Sequence, residues 1–385
     1  MMELQNHPDS TVRSVALRET RRLNLRVGTH ESALLKDKIR KDLRFATWLV
    51  AARRDLEEET AAEALVEDME VLYGKALGNV FELLSFFYDA SAIQHIKTNL
   101  ESDDNARQVL ALEMMDLLLA EDLKELVAPL LEPGAPGDRL KKLRRDFPQQ
   151  RLKTDHRLAD LLLYDYSQLP TGPRLGALEL LAERNSEDLG PVIALTYHHD
   201  PILKETAYRV LYRRDESLYF HYIAHETEKF RQHLHNLLQV QNHRQKELSW
   251  TALLQILKQV PAFENLPKAL LMHLIRHCQQ AWWMPSKTIG IPSQKQQPIG
   301  FPLQGPIRSS DQNGGLHETC TFELLGLDQE RTWQNETLET EFPIAVIWID
   351  AGNFYDLLDR FPELTHTIFQ WLRRTESSET LIIST

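Results

Sequence analysis

Between residue 1 and about residue 258 the apolar side chains return at three- and four-residue steps, as in Ile93, Ile96 and Leu100, and again in Leu117, Leu118, Leu123, Val127, Leu130 and Leu131. That is the period of a helix face, not the alternation of a strand. Breakers cut the region at Asn6 to Pro8, Ser102 to Asn105, Glu132 to Gly137, Pro170 to Pro173, Asn185 and His199 to Pro201. The pattern predicts a row of short helices joined by polar turns. With 42% apolar and 26% charged residues over 385 positions, the chain has core material for two or three domains.

The helices that follow polar turns are similar to one another. ArgSerValAlaLeuArgGlu from Arg13, GlnValLeuAlaLeuGlu from Gln108, ArgLeuGlyAlaLeuGluLeuLeu from Arg174 and LysGluThrAlaTyrArgValLeu from Lys204 each carry an alanine at a matching place, namely Ala16, Ala111, Ala177 and Ala207. The alanines are separated by three, two and one units of roughly thirty residues, the length of a helix-pair repeat. Stacked helix pairs need a small residue where two helices cross closely, with Leu and Val filling the layer between. These motifs resemble HEAT repeats, which implies an all-α solenoid over residues 1–258. The segment from Val80 to Ile93, continued by Ser102 to Leu131, also resembles the HEAT region that some bacterial proteins carry behind an ATP/ADP-transporter-like membrane domain. That likeness implies a soluble regulator of a membrane nucleotide transporter.

After residue 258 prolines and glycines crowd between Pro285 and Pro306, and short β-favouring runs such as Ala345 to Ile349 appear. A domain boundary is predicted near Val260, giving domains 1–258 and 259–385. ProAlaPheGluAsnLeuPro from Pro261 with the amphipathic stretch Leu270 to Cys278, MetProSerLysThrIle from Met284, LeuGlnGlyProIleArg from Leu303, and the run from Val346 through AspAlaGlyAsnPheTyrAspLeuLeuAspArgPhe are similar, in that order, to parts of cyclic-nucleotide-binding domains. Those parts are the entry helix, first strand, inter-strand turn, and last strand with its following helix. The expected fold is therefore multi-domain α and α+β: an all-α HEAT-like solenoid followed by a small β-roll with flanking helices.

That family holds its ligand with a Phe-Gly-Glu-Leu-Ala turn followed by Arg and Ser or Thr. Helix N-terminal amides and the Arg neutralise the cyclic phosphate, and the Glu accepts the ribose hydroxyl. The matching stretch here is ThrPheGluLeuLeuGlyLeuAspGlnGluArgThrTrp, from Thr321 to Trp333. By this resemblance Glu323, Arg331 and Thr332 are the ligand-binding residues if a cyclic nucleotide is bound. No glycine precedes Glu323, the Glu-to-Arg spacing is short, and Trp333 stands where the family has a small residue, so the motif is degenerate. Ser286, Lys287 and Ser293 to Lys295 occupy the place of the family's early turn glycines.

The formal charge of -12 opposes a general grip on nucleic acid or anionic lipid. No segment has the ~18 to 20 apolar residues that cross a bilayer. Cys278 and Cys320 form no Cys-x-x-Cys pair, so neither a disulfide framework nor a thiolate zinc site is readable, and a reducing cytoplasmic setting is expected. His221 and His225 at i, i+4, with His233, His235 and His243 downstream, would supply half of a metal site but bring no His-Glu-x-x-His, so they are read as structural or solvated. Asp103 and Asp104 are read as helix caps rather than a carboxylate pair. The basic cluster Arg139, Lys141, Lys142, Arg144 and Arg145 is read as a solvated face, with a phosphate-bearing partner as the alternative.

No phosphate loop, nucleophile elbow or dinucleotide fingerprint occurs. The expected function is a non-enzymatic scaffold or regulator that binds a protein partner, without cofactor or metal, reaching membranes only through that partner. The rival expectation is a sensor whose C-terminal roll still takes a cyclic nucleotide.

Overall fold

The structure is a computed structural model that describes residues 29–184, 186–238, 248–283, 299–303, 307–310, 316–319, 337–339 and 344–370. The chain divides into two compact units, Met1–Ala194 and Leu195–Thr385.

The first unit is helical throughout its described residues. It contains α1 (Thr29–Leu56), α2 (Glu63–Leu84), α3 (Ala90–Leu100), α4 (Asn105–Leu118), α5 (Glu121–Leu131), α6 (Pro136–Lys142), α7 (Thr154–Leu163) and α8 (Thr171–Glu183). The predicted breakers at Ser102 to Asn105, Glu132 to Gly137, Pro170 to Pro173 and His199 to Pro201 fall at helix ends, while Asn6 to Pro8 and Asn185 lie outside the described residues. Asp89 and Asp104 cap α3 and α4 by accepting from the amides of Ala92 and Ala106, and Pro136 opens α6 where a missing N–H costs nothing. The apolar stripe Leu35, Ile39, Leu43, Ala46 and Val50 of α1 is buried, as the i, i+4, i+7 spacing requires.

Helices α2 to α6 each touch the next in sequence, and α6 returns to α1. α1 also packs on α5 and α7, while α8 packs on α2 and α7. A linear solenoid joins only neighbouring repeats; here the row of helices closes on α1. The repeat alanines Ala111 and Ala177 are fully buried in α4 and α8, and Ala16 lies outside the described residues.

The chain passes between the units in α9 (Gly190–Thr196). The second unit continues with α10 (Pro201–Arg214), α11 (Glu216–Ile223), α12 (Glu228–Leu238), α13 (Trp250–Leu257) and α14 (Lys268–His277). Next come β1 (Cys278–Trp283), β2 (Ile299–Pro302), β3 (Ile307–Ser310), β4 (Leu316–Thr319), β5 (Thr337–Glu339), β6 (Ile344–Ile349) and α15 (Ala351–Arg360), with a last helical stretch over 362–370. Among the described residues two three-stranded antiparallel sheets form, in the orders β1-β6-β2 and β4-β3-β5.

β6 is central in the first sheet, and its near-continuous apolar run suits a strand covered on both faces. Gly300 of β2 sits opposite Trp348. A Cβ there would lie 2.5 Å from the Ile347 carbonyl oxygen and 3.0 Å from the Trp348 Cβ, so only glycine lets these strands approach. The predicted entry helix and last strand-helix pair are seen as α14, β6 and α15. The strand predicted from Met284 lies outside the described residues, and β1 instead begins at Cys278, where the sequence reading still has helix.

Candidate functional site

In the second unit, three polar constellations, two buried and one half-buried, are the places where chemistry would be sought first. Glu205 of α10 is fully buried; its Oε1 accepts from the Trp250 amide at 3.0 Å, and its Oε2 lies 2.7 Å from His233 Nε2. One carboxylate thereby ties α10 to the start of α13 and to α12. Asp200 caps α10 through the Ile202 amide at 3.0 Å and accepts from Arg276 of α14 at 2.6 Å, while its own amide donates to His198 Nδ1 at 2.9 Å. Gln280 of β1 clips Leu248 with two bonds of 2.8 Å, donating to its carbonyl and accepting from its amide. The Glu205, Asp200–Arg276 and Gln280 bonds tie separate segments of the unit together, whereas the Asp200 bonds to Ile202 and His198 are local.

The first unit holds two comparable clusters. Arg157 is 2% exposed and donates to Asp55 at 2.6 and 3.0 Å and to Asp160 at 2.6 Å; Asp160 also accepts from the Trp48 indole at 2.9 Å. Arg174 is 1% exposed and donates to the carbonyls of Leu161, Leu162, Tyr164 and Leu169, closing the C-terminal end of α7. Burial lowers the guanidinium pKa to about 10, against the weaker upward pull of Tyr166 and Asp165.

Cys278 is a free cysteine. Its thiol is desolvated and pushed up to about 12 by burial alone, and its Sγ faces the Leu274 carbonyl at 3.4 Å. Cys320 lies outside the described residues. His221 and His225 stack edge to face at 5.9 Å, His233 is engaged by Glu205, and His243 is outside the described residues. Among the described residues no group of three or more His, Cys, Asp or Glu side chains could hold a metal ion. No helix among them is long and apolar enough to cross a membrane.

Glu323, Arg331, Thr332 and Trp333, the residues assigned by resemblance to a nucleotide site, lie outside the described residues. Phe301 of β2 is described: it is 2% exposed, and its ring meets that of Phe263 at 6.2 Å. A separate cavity of about 460 Å³ lies between α14 and α15, lined by His277, Asn353, Asp356, Leu357, Asp359 and Arg360.

No family model matches the chain, and no curated protein does. Solved structures similar to it include the sensor domain of the transcriptional regulator DNR from Pseudomonas aeruginosa, with 10% identity, a TM-score of 0.28, and coverage of 32% of this chain and 91% of that one. A cyclic nucleotide-binding domain from Methylobacillus flagellatus matches at 13% identity and a TM-score of 0.27, covering 35% and 84%. The regulatory subunit of a cAMP-independent protein kinase A from Trypanosoma brucei matches at 14% identity and a TM-score of 0.27, covering 33% and 47%. At such scores the likeness assigns this chain neither a fold nor a ligand.

Two surface features complete the description. Helix α4 buries Ala111 and Met115 but exposes Val109, Leu110 and Leu117, the last at 88%. On α1, the exposed Arg40 and Arg44 each place a guanidinium 6.0 Å from the ring of buried Phe147, and Arg40 also reaches Asp146 at 3.1 Å. The basic cluster at 139–145 was visible in sequence; its extension by Arg40 and Arg44 was not, although their one-turn spacing marks a common face.

Proposed function

We propose that the protein is a non-enzymatic regulatory scaffold of the cytoplasm that binds a protein partner through its helical surface. The carrying observation is the exposure of Val109, Leu110 and Leu117 on α4, large apolar side chains held out in water by a helix whose own packing uses Ala111 and Met115. Ala111, Ala177 and Ala207, fully buried in α4, α8 and α10, support helix pairs stacked in the manner of HEAT repeats. The internal bonding of the buried Glu205, Arg157 and Arg174 clusters supports a role for the surface rather than for a reacting pocket. Affinity capture from cells with wild-type chain and with Leu110→Glu/Leu117→Glu tests this. A defined partner lost in the variant is expected; a wild-type chain that stays alone, free of stoichiometric partners, would sink the reading.

The second reading is a nucleotide sensor, favoured by the presence of Glu323, Arg331 and Thr332 in cassette order. Calorimetry with cyclic AMP and cyclic GMP decides it, since a silent titration at millimolar ligand removes the sensor. Regulation of a membrane nucleotide transporter is a special case of the scaffold reading and requires the captured partner to be such a transporter.

A further inference from the structure

Arg40, Lys41 and Arg44 project from α1, and Arg144 and Arg145 precede the Asp146-Phe147 pair on which Arg40 and Arg44 rest. All five are exposed. Two segments far apart in sequence thus bring their cations to one face of the first unit, in a chain whose net charge is -12. Arg40 is paired with Asp146, and Lys141 and Lys142 of α6 are paired with Asp138 and Glu132. Among the described residues no ion pair involves Arg44, Arg144 or Arg145. The Phe147 ring, 6.0 Å from the guanidinium of each of Arg40 and Arg44, limits the rotamer freedom that binding would remove.

We infer that this face, Arg40, Lys41, Arg44, Arg144 and Arg145, is a docking surface for an acidic segment of a protein partner; the inference rests on the partner-binding reading above. Three observations select a polypeptide over other polyanions. The cations are interspersed with the carboxylates of Asp37, Asp138 and Asp146, which would repel a dense phosphate array but can be skirted by a peptide with spaced carboxylates. The strongly negative chain opposes any extended anionic surface, whereas a short segment lies within about one Debye length, ~8 to 10 Å, of the basic face. Phe147 is buried, so its ring is not offered to a stacking base. Carboxylates, for their part, fit the guanidinium fork with two parallel bonds.

The test uses the full chain and three probes: labelled polyglutamate followed by anisotropy, phosphatidylserine vesicles followed by co-sedimentation, and a mixed-sequence DNA duplex. The variant Arg44→Glu/Arg144→Glu/Arg145→Glu is compared with Arg107→Glu/Lys229→Glu/Arg231→Glu, which changes the net charge equally at other exposed positions. Polyglutamate is expected to bind at low salt and to weaken about tenfold or more in the first variant, the effect of ~1.4 kcal/mol lost, while the matched variant keeps wild-type affinity. The Gln versions of the first three substitutions give the same ordering if charge reversal impairs folding. Absence of polyglutamate binding, equal weakening in both variants, or tighter binding of vesicles or duplex through the same arginines would each overturn the proposal. Partner capture that survives the arginine variant and is lost in the α4 variant overturns this face alone. A chain that binds polyglutamate but captures no partner overturns the scaffold reading instead.

Discussion

Glu205 Oε2 lies 2.7 Å from His233 Nε2, with the carboxylate wholly withdrawn from water. Its second oxygen receives the Trp250 amide, so a single side chain joins α10, α12 and α13. Glu205→Ala would strand a buried amide and the imidazole together. A loss of about 3 kcal/mol is expected, read as a lower denaturant midpoint at unchanged slope, with Glu205→Gln losing less because its amide oxygen can still accept from Trp250. Equal stability of Glu205→Ala and wild type would mean that this clip is ornamental.

Arg174 is the counterpart in the first unit. Its guanidinium satisfies carbonyls that the end of α7 leaves open. Arg174→Leu fills the space but leaves those acceptors dry, at an expected cost of about 3 kcal/mol. Arg174→Lys, with one donor centre instead of a fork, should fall between. Urea melts of the three proteins give the order directly.

Cys278 should resist modification. In a Cys320→Ser background, a thiol reagent at pH 8 is expected to label the native protein far more slowly than the unfolded one, because burial holds the thiol near 12. The sign for stability follows: a proton bound more tightly in the folded state contributes below the ordinary thiol value of 9.0 and is lost as pH rises toward about 12. Rapid native labelling would show that the thiol is open to water.

Gly300→Ala tests the closest strand approach. The added methyl meets the backbone of Ile347, which cannot swing aside as a side-chain tip would. Destabilisation of roughly 1 to 3 kcal/mol is expected, with weakened amide protection in β2 and β6 by hydrogen exchange. Unchanged protection would place the strands farther apart than described.

Local chemistry was legible where a signal and its partner lie within one turn. Asp103 and Asp104 are read as caps from the sequence around them, and Asp104 is the one that caps α4; Asp200, which caps α10, falls in the breaker read at His199 to Pro201. The amphipathic run ending near Cys278 and the apolar run from Ala345 gave α14 and β6 for the same reason. What periodicity does not carry is the partner across the fold. Nothing near Glu205 names His233 or Trp250, and nothing near Arg40 names Asp146. β1 was missed because Gln279 and Gln280 carry no strand signal of their own; their pairing is dictated by Ile347 and Trp348 of β6. Likewise the closure of the helical row on α1 depends on contacts with α5, α6 and α7 that a repeat pattern does not encode. For the candidate nucleotide residues Glu323, Arg331 and Thr332, only the motif order was legible.

That closure has a consequence during synthesis. α1 packs most on α2, which follows it at once, but its contacts with α5, α6 and α7 must wait until those helices have been translated at ~5 to 20 residues per second. A nascent chain stalled after α4 would leave that side of α1 open to any passing chaperone or neighbouring polypeptide. The finished protein hides a surface that its half-made form must advertise.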